Sequence, residues 1–289
     1  MEKITAKDGT EIHYLRLGKG SPILFLHGWS ASAKDWLPFA AELADEHEVI
    51  CWDARGHGAH PLKPGTRTDV QSMAADLQQL IEHHDLKNIM LIGHSMGALT
   101  LWQYMRDFGC DRLARIGIID QSPKLLTDAQ WSNGIYGHFD HQANQQLINL
   151  LRQDFAEGLL QLVANGYNRQ SYENYQRNSR GFQQMREQLQ KLDSEPLVQC
   201  WESLTAADYR DVLPHINVPA LLIYGDESQF YAPSVAEYVS QQIPETVLHR
   251  YENADHSPQL WHRERFIWDI KQFIRQQPLK QIGSAANLT

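Results

Sequence analysis

The sequence lacks features that define several other classes of protein. Its longest apolar runs are of strand length, far short of the roughly 18 residues that span a bilayer, and no apolar leader follows Met1. Lysine and arginine number 26 against 35 aspartate and glutamate residues, so the chain lacks the clustered basic charge that holds nucleic acid. We therefore expect a cytoplasmic protein that binds neither nucleic acid nor membrane.

Cysteine is also scarce. Cys51, Cys110 and Cys200 are widely spaced among apolar residues, which favours buried reduced thiols over a disulfide framework. A metal site has as little support, because the histidine pair His138 and His141 has neither a second ligand cluster nor a zinc spacing. We predict neither a bound metal nor a cofactor.

What the sequence does contain is a regular series of apolar segments. With 289 residues, 42% of them hydrophobic, the chain can bury a large core. Segments around Ile4 and 12–14 flank the turn Asp8-Gly9 and predict a hairpin. A continuous apolar run, typical of a strand buried on both faces of a parallel sheet, covers 22–26, and similar runs follow at 49–52, 88–92, 115–119, 220–224 and 247–251.

Helical patterns alternate with these runs. The clearest covers 70–81, where apolar residues recur every three or four positions and where Thr68 and Gln71 are placed as a capping box. Strands that alternate with helices indicate a right-handed series of crossovers. The sequence therefore predicts an α/β fold with a mostly parallel, doubly wound sheet.

The alternation breaks between Pro123 and Pro214. This stretch is rich in glutamine, asparagine and aromatic residues, has helical spacing and contains no convincing buried strand. We interpret residues 124–213 as a helical cap over the strand ends, where α/β sheets bind ligands. The core then comprises 1–123 and 214–277, and the aperiodic residues 278–289 are predicted to form a flexible tail.

A candidate nucleophile lies in the motif Gly93-His94-Ser95-Met96-Gly97. The motif follows a predicted strand and precedes the helical segment 98–108, the context in which G-x-S-x-G presents a serine. Small residues two positions either side let the strand and helix backbones pass closely. A chance glycine–serine turn is the alternative reading of an isolated motif.

A serine hydroxyl needs a base, an acid that orients the base, and donors for the developing oxyanion. Among 14 histidines, His256 is the candidate base, because it follows the last predicted strand on a loop at the same sheet edge as Ser95. The backbone amides of Met96, directly after the nucleophile, and Trp29, after His27-Gly28, are the candidate oxyanion donors.

These motifs resemble those of the α/β-hydrolase family over roughly residues 10 to 275. The resemblance implies a helical cap inserted after the sixth strand. Many members of the family carry the triad acid in a G-x-x-D pattern after the seventh strand, whereas Ser228 occupies that slot here. The motifs that carry the resemblance are His27-Gly28-Trp29, Asp53–Gly58, Gly93–Gly97 and Ala254-Asp255-His256.

Two aspartates are candidates for the displaced acid. Asp120 ends the sixth predicted strand, and a branch of small esterases that resembles this sequence places its acid there and has a serine in the later slot. The chain order Ser95, Asp120, His256 also agrees with the family. Asp226, two residues before the usual slot, is the second choice. A turn or cap aspartate is the alternative role for Asp120.

The predicted function is a carboxylic-ester hydrolase that forms an acyl-enzyme on a small-molecule acyl substrate of small to medium size. Aromatic cap residues, including Trp131 and Tyr136, are expected to line its pocket. Thioesters, lactones, carbon–carbon bonds and perhydrolysis stay open, because fold does not determine substrate. Ser95 disfavours the related dehalogenases and epoxide hydrolases, which use an aspartate. A non-catalytic binding protein is the competing class, and the full set of catalytic residue types argues against it.

Overall fold

The computed structural model describes residues 1–58 and 60–276. In this part of the chain the strands are β1 (Glu2–Thr5), β2 (Glu11–Leu17), β3 (Ser21–Leu26), β4 (His47–Asp53), β5 (Ile89–His94), β6 (Leu113–Ile119), β7 (Ala220–Gly225) and β8 (Thr246–Tyr251). The helices are α1 (Leu37–Leu43), α2 (Val70–His83), α3 (Met96–Phe108), α4 (His141–Gln153), α5 (Phe155–Ala164), α6 (Arg169–Gln176), α7 (Arg180–Leu189), α8 (Ser194–Ala206), α9 (Pro233–Gln242), α10 (Pro258–Trp261) and α11 (Arg263–Arg275).

The strands form one sheet in the order β1-β2-β4-β3-β5-β6-β7-β8. β1 pairs with β2, and β2 with β4, in antiparallel register, whereas the later neighbours are parallel. The predicted hairpin forms around Asp8-Gly9, with Thr5 opposite Glu11. The prediction of a mostly parallel, doubly wound sheet is confirmed.

Helices cover both faces of this sheet. Leu91 of β5 packs in a cluster with residues of α2, α3 and α8, whereas the next residue, Ile92, packs in a second cluster with Phe39 of α1 and Phe266 of α11. Successive side chains of a strand point to opposite faces, so a strand between two helical layers is apolar at every position. This double burial accounts for the apolar runs of the sequence.

The start of α2 differs from the prediction. The residue that caps the helix is Asp69, whose carboxylate accepts a hydrogen bond from the Ser72 amide at 2.8 Å. The capping box assigned to Thr68 and Gln71 is therefore wrong. The Thr68 hydroxyl instead donates to the Pro196 carbonyl oxygen in the first turn of α8, at 2.8 Å, because packing of the distant helix supplies that acceptor.

Helices α4 to α8 lie between β6 and β7, where the insertion was expected. They pack on the core through specific polar contacts as well as apolar ones. The indole Nε1 of Trp29 donates to the Leu197 carbonyl oxygen in α8 at 2.9 Å, and the Tyr209 hydroxyl donates to Gln103 Oε1 in α3 at 2.9 Å. The cap boundaries at 124 and 213 stay a prediction.

Three further expectations concern thiols, membranes and the C-terminal residues. Cys51 and Cys200 are buried, Cys110 is half-buried, and burial raises the pKa of the Cys51 thiol to about 12. None of the helices that the structure describes combines the length and apolar composition needed to cross a bilayer. The predicted tail at 278–289 lies outside the described residues.

Candidate active site

Ser95 occupies a strained turn between β5 and α3. Its backbone has φ 53° and ψ −119°, a conformation that costs about 1–3 kcal/mol for a residue with a side chain. The turn is tight because both flanking glycines are in contact with other backbone. A Cβ on Gly93 would lie 2.4 Å from the Gly97 carbonyl carbon, and one on Gly97 would lie 2.3 Å from the Leu26 oxygen. The glycine spacing of the motif therefore follows from the close approach of strand and helix.

His256 lies on the loop between β8 and α10 and contacts Asp120 directly. Its Nδ1 is 2.6 Å from Asp120 Oδ2, and its backbone amide donates to Gln229 Oε1 at 2.9 Å. A carboxylate accepts hydrogen bonds, so Nδ1 carries the proton and Nε2 is the nitrogen that can take one. Phe230 packs edge-on against the imidazole, with ring centroids 4.5 Å apart.

Asp120 follows the last residue of β6 and is fully buried. Besides His256, it receives hydrogen bonds from the Ser228 hydroxyl at 2.6 Å and from the Gly225 amide at 3.2 Å. A buried carboxylate needs such donors to offset its lost hydration. The three hydrogen bonds orient the carboxylate so that its Oδ2 atom faces the imidazole of His256.

The structure separates the two candidate acids. Asp120 is brought to His256, whereas Asp226, directly after β7, is exposed at the surface. Ser228, in the slot where the family usually has its acid, is buried and donates to Asp120. Ser228 thus occupies the usual acid position, and its hydroxyl donates a hydrogen bond to the Asp120 carboxylate at the end of the neighbouring strand β6.

The amides of Trp29 and Met96 border the same cavity as Ser95. Met96 is the first residue of α3, and Trp29 follows β3 in the loop that begins at His27. Within the residues that the structure describes, neither amide donates to a backbone carbonyl. The first amides of a helix have no partner inside it and concentrate its positive dipole, so Met96 offers a donor to an anion.

Two histidines, the buried His27 and the half-buried His94, contact the loops around Ser95. His27 donates from Nδ1 to the Gly28 carbonyl oxygen at 2.7 Å and accepts the Ala54 amide at Nε2 at 3.0 Å. His94 Nε2 lies 2.8 Å from the His256 carbonyl oxygen. Burial lowers the pKa of both rings, that of His94 to about 3, so both stay neutral. Sequence reasoning assigned no role to His94, because nothing local shows which loop its ring meets.

A cavity of about 350 Å³ opens over Ser95 and His256. The cap forms its apolar wall, while core loops form the wall near His256. The residues of 124–213 in contact with it are Leu125, Ile135, Leu159, Leu162, Val163, Met185, Trp201 and Leu204. Such an enclosed, mostly apolar space with a few polar groups is typical of a small-molecule site.

Trp131 and Tyr136, two of the aromatic cap residues predicted to line the pocket, lie elsewhere. The indole of Trp131 donates to the Lys124 carbonyl oxygen at 3.0 Å and packs against Tyr238. The Tyr136 hydroxyl donates to the Leu162 carbonyl oxygen, and its ring packs on Phe139. Neither is among the residues in contact with the cavity, so the prediction for them is wrong. The Trp131 indole and the Tyr136 phenol both donate to backbone carbonyl oxygens within the protein. Among the aromatic cap residues, Trp201 does line the cavity, as predicted.

No group of three or more potential metal ligands occurs among residues 1–58 and 60–276. The cavity brings together a serine, a histidine–carboxylate pair and the two candidate donor residues. A strained serine between a strand and a helix of a mostly parallel sheet defines the α/β-hydrolase class of fold.

Comparison with known proteins agrees with this class. The alpha/beta hydrolase fold family matches residues 21–263. A non-heme chloroperoxidase of Kitasatospora aureofaciens is 28% identical over 93% of this chain and 98% of its own, and a pimeloyl-(acyl-carrier protein) methyl ester esterase of Vibrio vulnificus is 24% identical over 91% and 98%. An esterase structure from Exiguobacterium antarcticum, 24% identical, superposes with a TM-score of 0.81 over 95% and 99%. The chain belongs to the α/β-hydrolase fold family.

Proposed function

We propose that this protein is a serine esterase that cleaves carboxylic esters of small to medium acyl groups through an acyl-enzyme. The observation that carries the proposal is the 2.6 Å contact between His256 Nδ1 and buried Asp120, at the wall of the cavity that Ser95 also borders. A pure binding site has no need of an oriented histidine–carboxylate pair beside a strained serine.

In the acylation step, Ser95 Oγ attacks the ester carbonyl carbon while His256 Nε2 takes the hydroxyl proton. The carbonyl oxygen gains negative charge, which the Trp29 and Met96 amides stabilise. When the intermediate collapses, the bond to the alcohol oxygen breaks and His256 returns its proton to that oxygen. Asp120 stabilises the imidazolium while it is charged.

Deacylation repeats the same steps with water. His256 takes a proton from a water molecule whose oxygen attacks the acyl carbon, and the same two amides hold the second oxyanion. The bond to Ser95 Oγ then breaks, and His256 protonates that oxygen. The carboxylic acid leaves and the serine is regenerated, so no external reductant, oxidant or cofactor enters the reaction.

The apolar cap wall sets the expected substrate class. Burial of one methylene contributes roughly 0.8 kcal/mol, or about fourfold in a binding or specificity constant. The wall formed by Leu159, Leu162 and Val163 should therefore reward longer acyl chains until the space of about 350 Å³ is filled. Very long chains should then lose activity, because they have no room beside the cap.

A chain-length series tests this proposal. We expect kcat/KM for p-nitrophenyl esters to rise from acetate towards medium chains and then fall, and we expect Ser95→Ala to abolish turnover. A fluorophosphonate probe should label the protein but not Ser95→Ala, whereas Ser257→Ala, which removes another serine of the cavity wall, should keep the label. Absence of both labelling and turnover would contradict an activated serine and favour a binding protein.

Other acyl reactions use the same groups, so the panel includes thioesters, lactones, carbon–carbon bond substrates and peracid formation with hydrogen peroxide. Ester hydrolysis is preferred because the cavity has an enclosed apolar wall for an acyl chain beside the histidine–carboxylate pair. A thioester or lactone turned over much faster than every ester would replace the substrate class and keep the mechanism.

A further inference from the structure

The main chain of His256 is held by two side chains. Its amide donates to Gln229 Oε1 at 2.9 Å, and its carbonyl oxygen lies 2.8 Å from His94 Nε2. Among the residues that the structure describes, neither of these main-chain groups has a backbone partner. Main-chain polar groups inside a protein need hydrogen-bond partners, so the position of His256 depends on these two side chains.

The Gln229 side chain has one orientation that satisfies its neighbours. It is buried, and its Nε2 lies 3.3 Å from Ser171 Oγ in α6 and 3.4 Å from Asp255 Oδ2. Only the amide oxygen can accept the His256 N–H, and only the amide nitrogen can donate to a carboxylate. The side chain is thus held between a cap helix and the loop that carries His256.

The residue before Gln229 holds the acid of the pair. The Ser228 hydroxyl donates to Asp120 Oδ2 at 2.6 Å, and the same oxygen lies 2.6 Å from His256 Nδ1. Two consecutive side chains therefore hold the carboxylate and the main chain of the imidazole. Because a hydrogen bond weakens steeply when it is misaligned, this short segment controls the contact between acid and base.

The cap contacts this segment through main-chain atoms. The Tyr167 amide donates to the Gln229 carbonyl oxygen at 2.8 Å, and Asn168 Nδ2 donates to the Glu227 carbonyl oxygen at 2.8 Å. A Cβ on Gly166 would lie 1.8 Å from the Gln229 oxygen, so the approach is too close for a side chain. None of these three cap residues borders the cavity, so they reach the site through Gln229 rather than through a substrate.

We propose that Gln229 is a positioning residue that aligns the His256 imidazole with Asp120 and transmits the placement of the cap loop 166–168 to it. Gln229 does not border the cavity, so it acts through His256. A misplacement of about 1 Å can cost roughly a hundredfold in rate. Its loss should therefore lower kcat and leave KM nearly unchanged. This inference rests on the proposed esterase function.

Substitutions of Gln229 test its role in turnover. Gln229→Met has a similar shape but no acceptor, and we expect kcat for p-nitrophenyl butyrate to fall by about 10- to 100-fold with KM within about twofold. Gln229→Glu keeps an oxygen that accepts from the His256 amide and loses only the Nε2 donor. It should recover most of the lost kcat.

Gln103→Met is the matched control. Gln103 is also buried, its Oε1 also accepts a hydrogen bond from a distant residue, the Tyr209 hydroxyl at 2.9 Å, and it lies in α3 outside the cavity. Its substitution should lower the melting temperature and keep the wild-type kcat. A loss of kcat as large as that of Gln229→Met would show that any buried glutamine matters equally, and would overturn the proposal.

A proton resonance measures the alignment without a substrate. A proton between an imidazole and a carboxylate resonates far downfield, and Asp120→Asn should remove the signal of His256 Nδ1–H and thereby assign it. We expect this resonance to move upfield or broaden in Gln229→Met and to stay unchanged in Gln103→Met. A change of stability alone would not move it.

Alanine at two cap glycines tests the connection to the cap. Gly166→Ala forces a Cβ against the Gln229 oxygen, and it should lower kcat by roughly three- to tenfold at unchanged KM. In the Gln229→Met background it should have little further effect, because the two changes act through one side chain. Gly181→Ala, with no atom within 4 Å of the added Cβ, should keep the wild-type kcat.

The outcomes separate the positioning role from the esterase itself. A wild-type kcat and an unmoved resonance in folded Gln229→Met would overturn the role of Gln229 and leave the esterase standing. If Gln229→Met does not fold, Gly166→Ala decides, and an unchanged kcat and resonance in that variant would overturn the proposal. Absence of Ser95-dependent turnover in the wild type would reject the esterase, whereas the resonance would still report whether Gln229 aligns His256.

Discussion

Asp120 and Asp226 carry the same side chain at the ends of adjacent strands, and of the two only Asp120 contacts His256. Asp120 is buried among three donors, from His256, Ser228 and Gly225, whereas Asp226 is exposed. Ser228 explains the difference, because a serine after β7 provides a donor where an acid would otherwise lie. The carboxylate from β6 takes the place beside the imidazole.

Replacement of the two acids should separate them at the bench. We expect Asp120→Asn to lower kcat by up to about 10⁴-fold, as an amide favours the wrong imidazole tautomer and cannot stabilise the imidazolium. Asp226→Asn, an equivalent change at the surface, should leave kcat unchanged. Steady-state hydrolysis of p-nitrophenyl butyrate, with thermal unfolding to verify the fold, measures both. The opposite pattern would transfer the acid role to Asp226.

At the level of secondary-structure elements, the position of Ser95 depends on how closely β5, α3 and β3 pack against one another. Ser95 is held at positive φ because β5 turns directly into α3, and Gly97 lets α3 approach the Leu26 backbone at the end of β3. The oxyanion candidates follow from the same arrangement, since Trp29 lies just after β3 and Met96 begins α3. The elbow therefore brings Ser95 and the two candidate donors to one edge of the sheet.

Alanine at two helical glycines tests that packing. Gly97→Ala places a Cβ 2.3 Å from the Leu26 oxygen and should lower the free energy of unfolding by about 1–3 kcal/mol or more. Gly181→Ala, in α7 with no atom within 4 Å of the added Cβ, should raise it by about 0.5–1 kcal/mol. Urea unfolding measures both changes. Equal effects of the two substitutions would exclude a special steric demand at the elbow.

The cap also contacts the segment that holds His256. The Tyr167 amide, in the loop between α5 and α6, donates to the Gln229 carbonyl oxygen at 2.8 Å, and Gln229 Oε1 accepts the His256 amide at 2.9 Å. A Cβ on Gly166 would lie 1.8 Å from the same Gln229 oxygen. The position of His256 is thus connected to the cap through one glutamine.

For the whole molecule, buried histidines couple stability to pH. Burial lowers the pKa of His27, His57 and His94, to about 3 for the last two. In the unfolded chain these rings titrate near 6.5. Between these values the unfolded chain binds protons that the folded chain does not, so stability rises with pH and is lost as pH falls below about 6.5.

We expect the free energy of unfolding to fall by roughly 3 kcal/mol per pH unit between about pH 6 and 4.5, since His57 and His94 each contribute about 1.4 kcal/mol per unit. Guanidinium unfolding at several pH values measures this slope. His57→Gln removes one titrating ring and should therefore reduce the slope by about 1.4 kcal/mol per pH unit. A flat profile over this range would show that the rings are protonated in the folded protein.

Much of the architecture could be predicted because its physical causes are local along the chain. Burial on both faces makes the central part of β3 to β7 apolar, so these strands are visible as runs of strand length, whereas β8 lies at the edge of the sheet and is mostly half-buried. The elbow is visible because the two glycines that it requires, Gly93 and Gly97, lie within five residues of the sequence, although the contact that requires Gly97 is with the distant Leu26 backbone. The candidate base is visible from its place after the last strand.

Other features depend on contacts between residues far apart in the chain. The partner of Thr68 is Pro196, Gln229 reaches His256, and Trp131 and Tyr136 turn to backbone acceptors rather than to the cavity. The choice between Asp120 and Asp226 is of the same kind. Hydrophobic periodicity and short motifs establish which residues lie at one edge of the sheet. Which side chains meet there is decided by packing, because each partner must be buried, aligned and within hydrogen-bond distance in three dimensions.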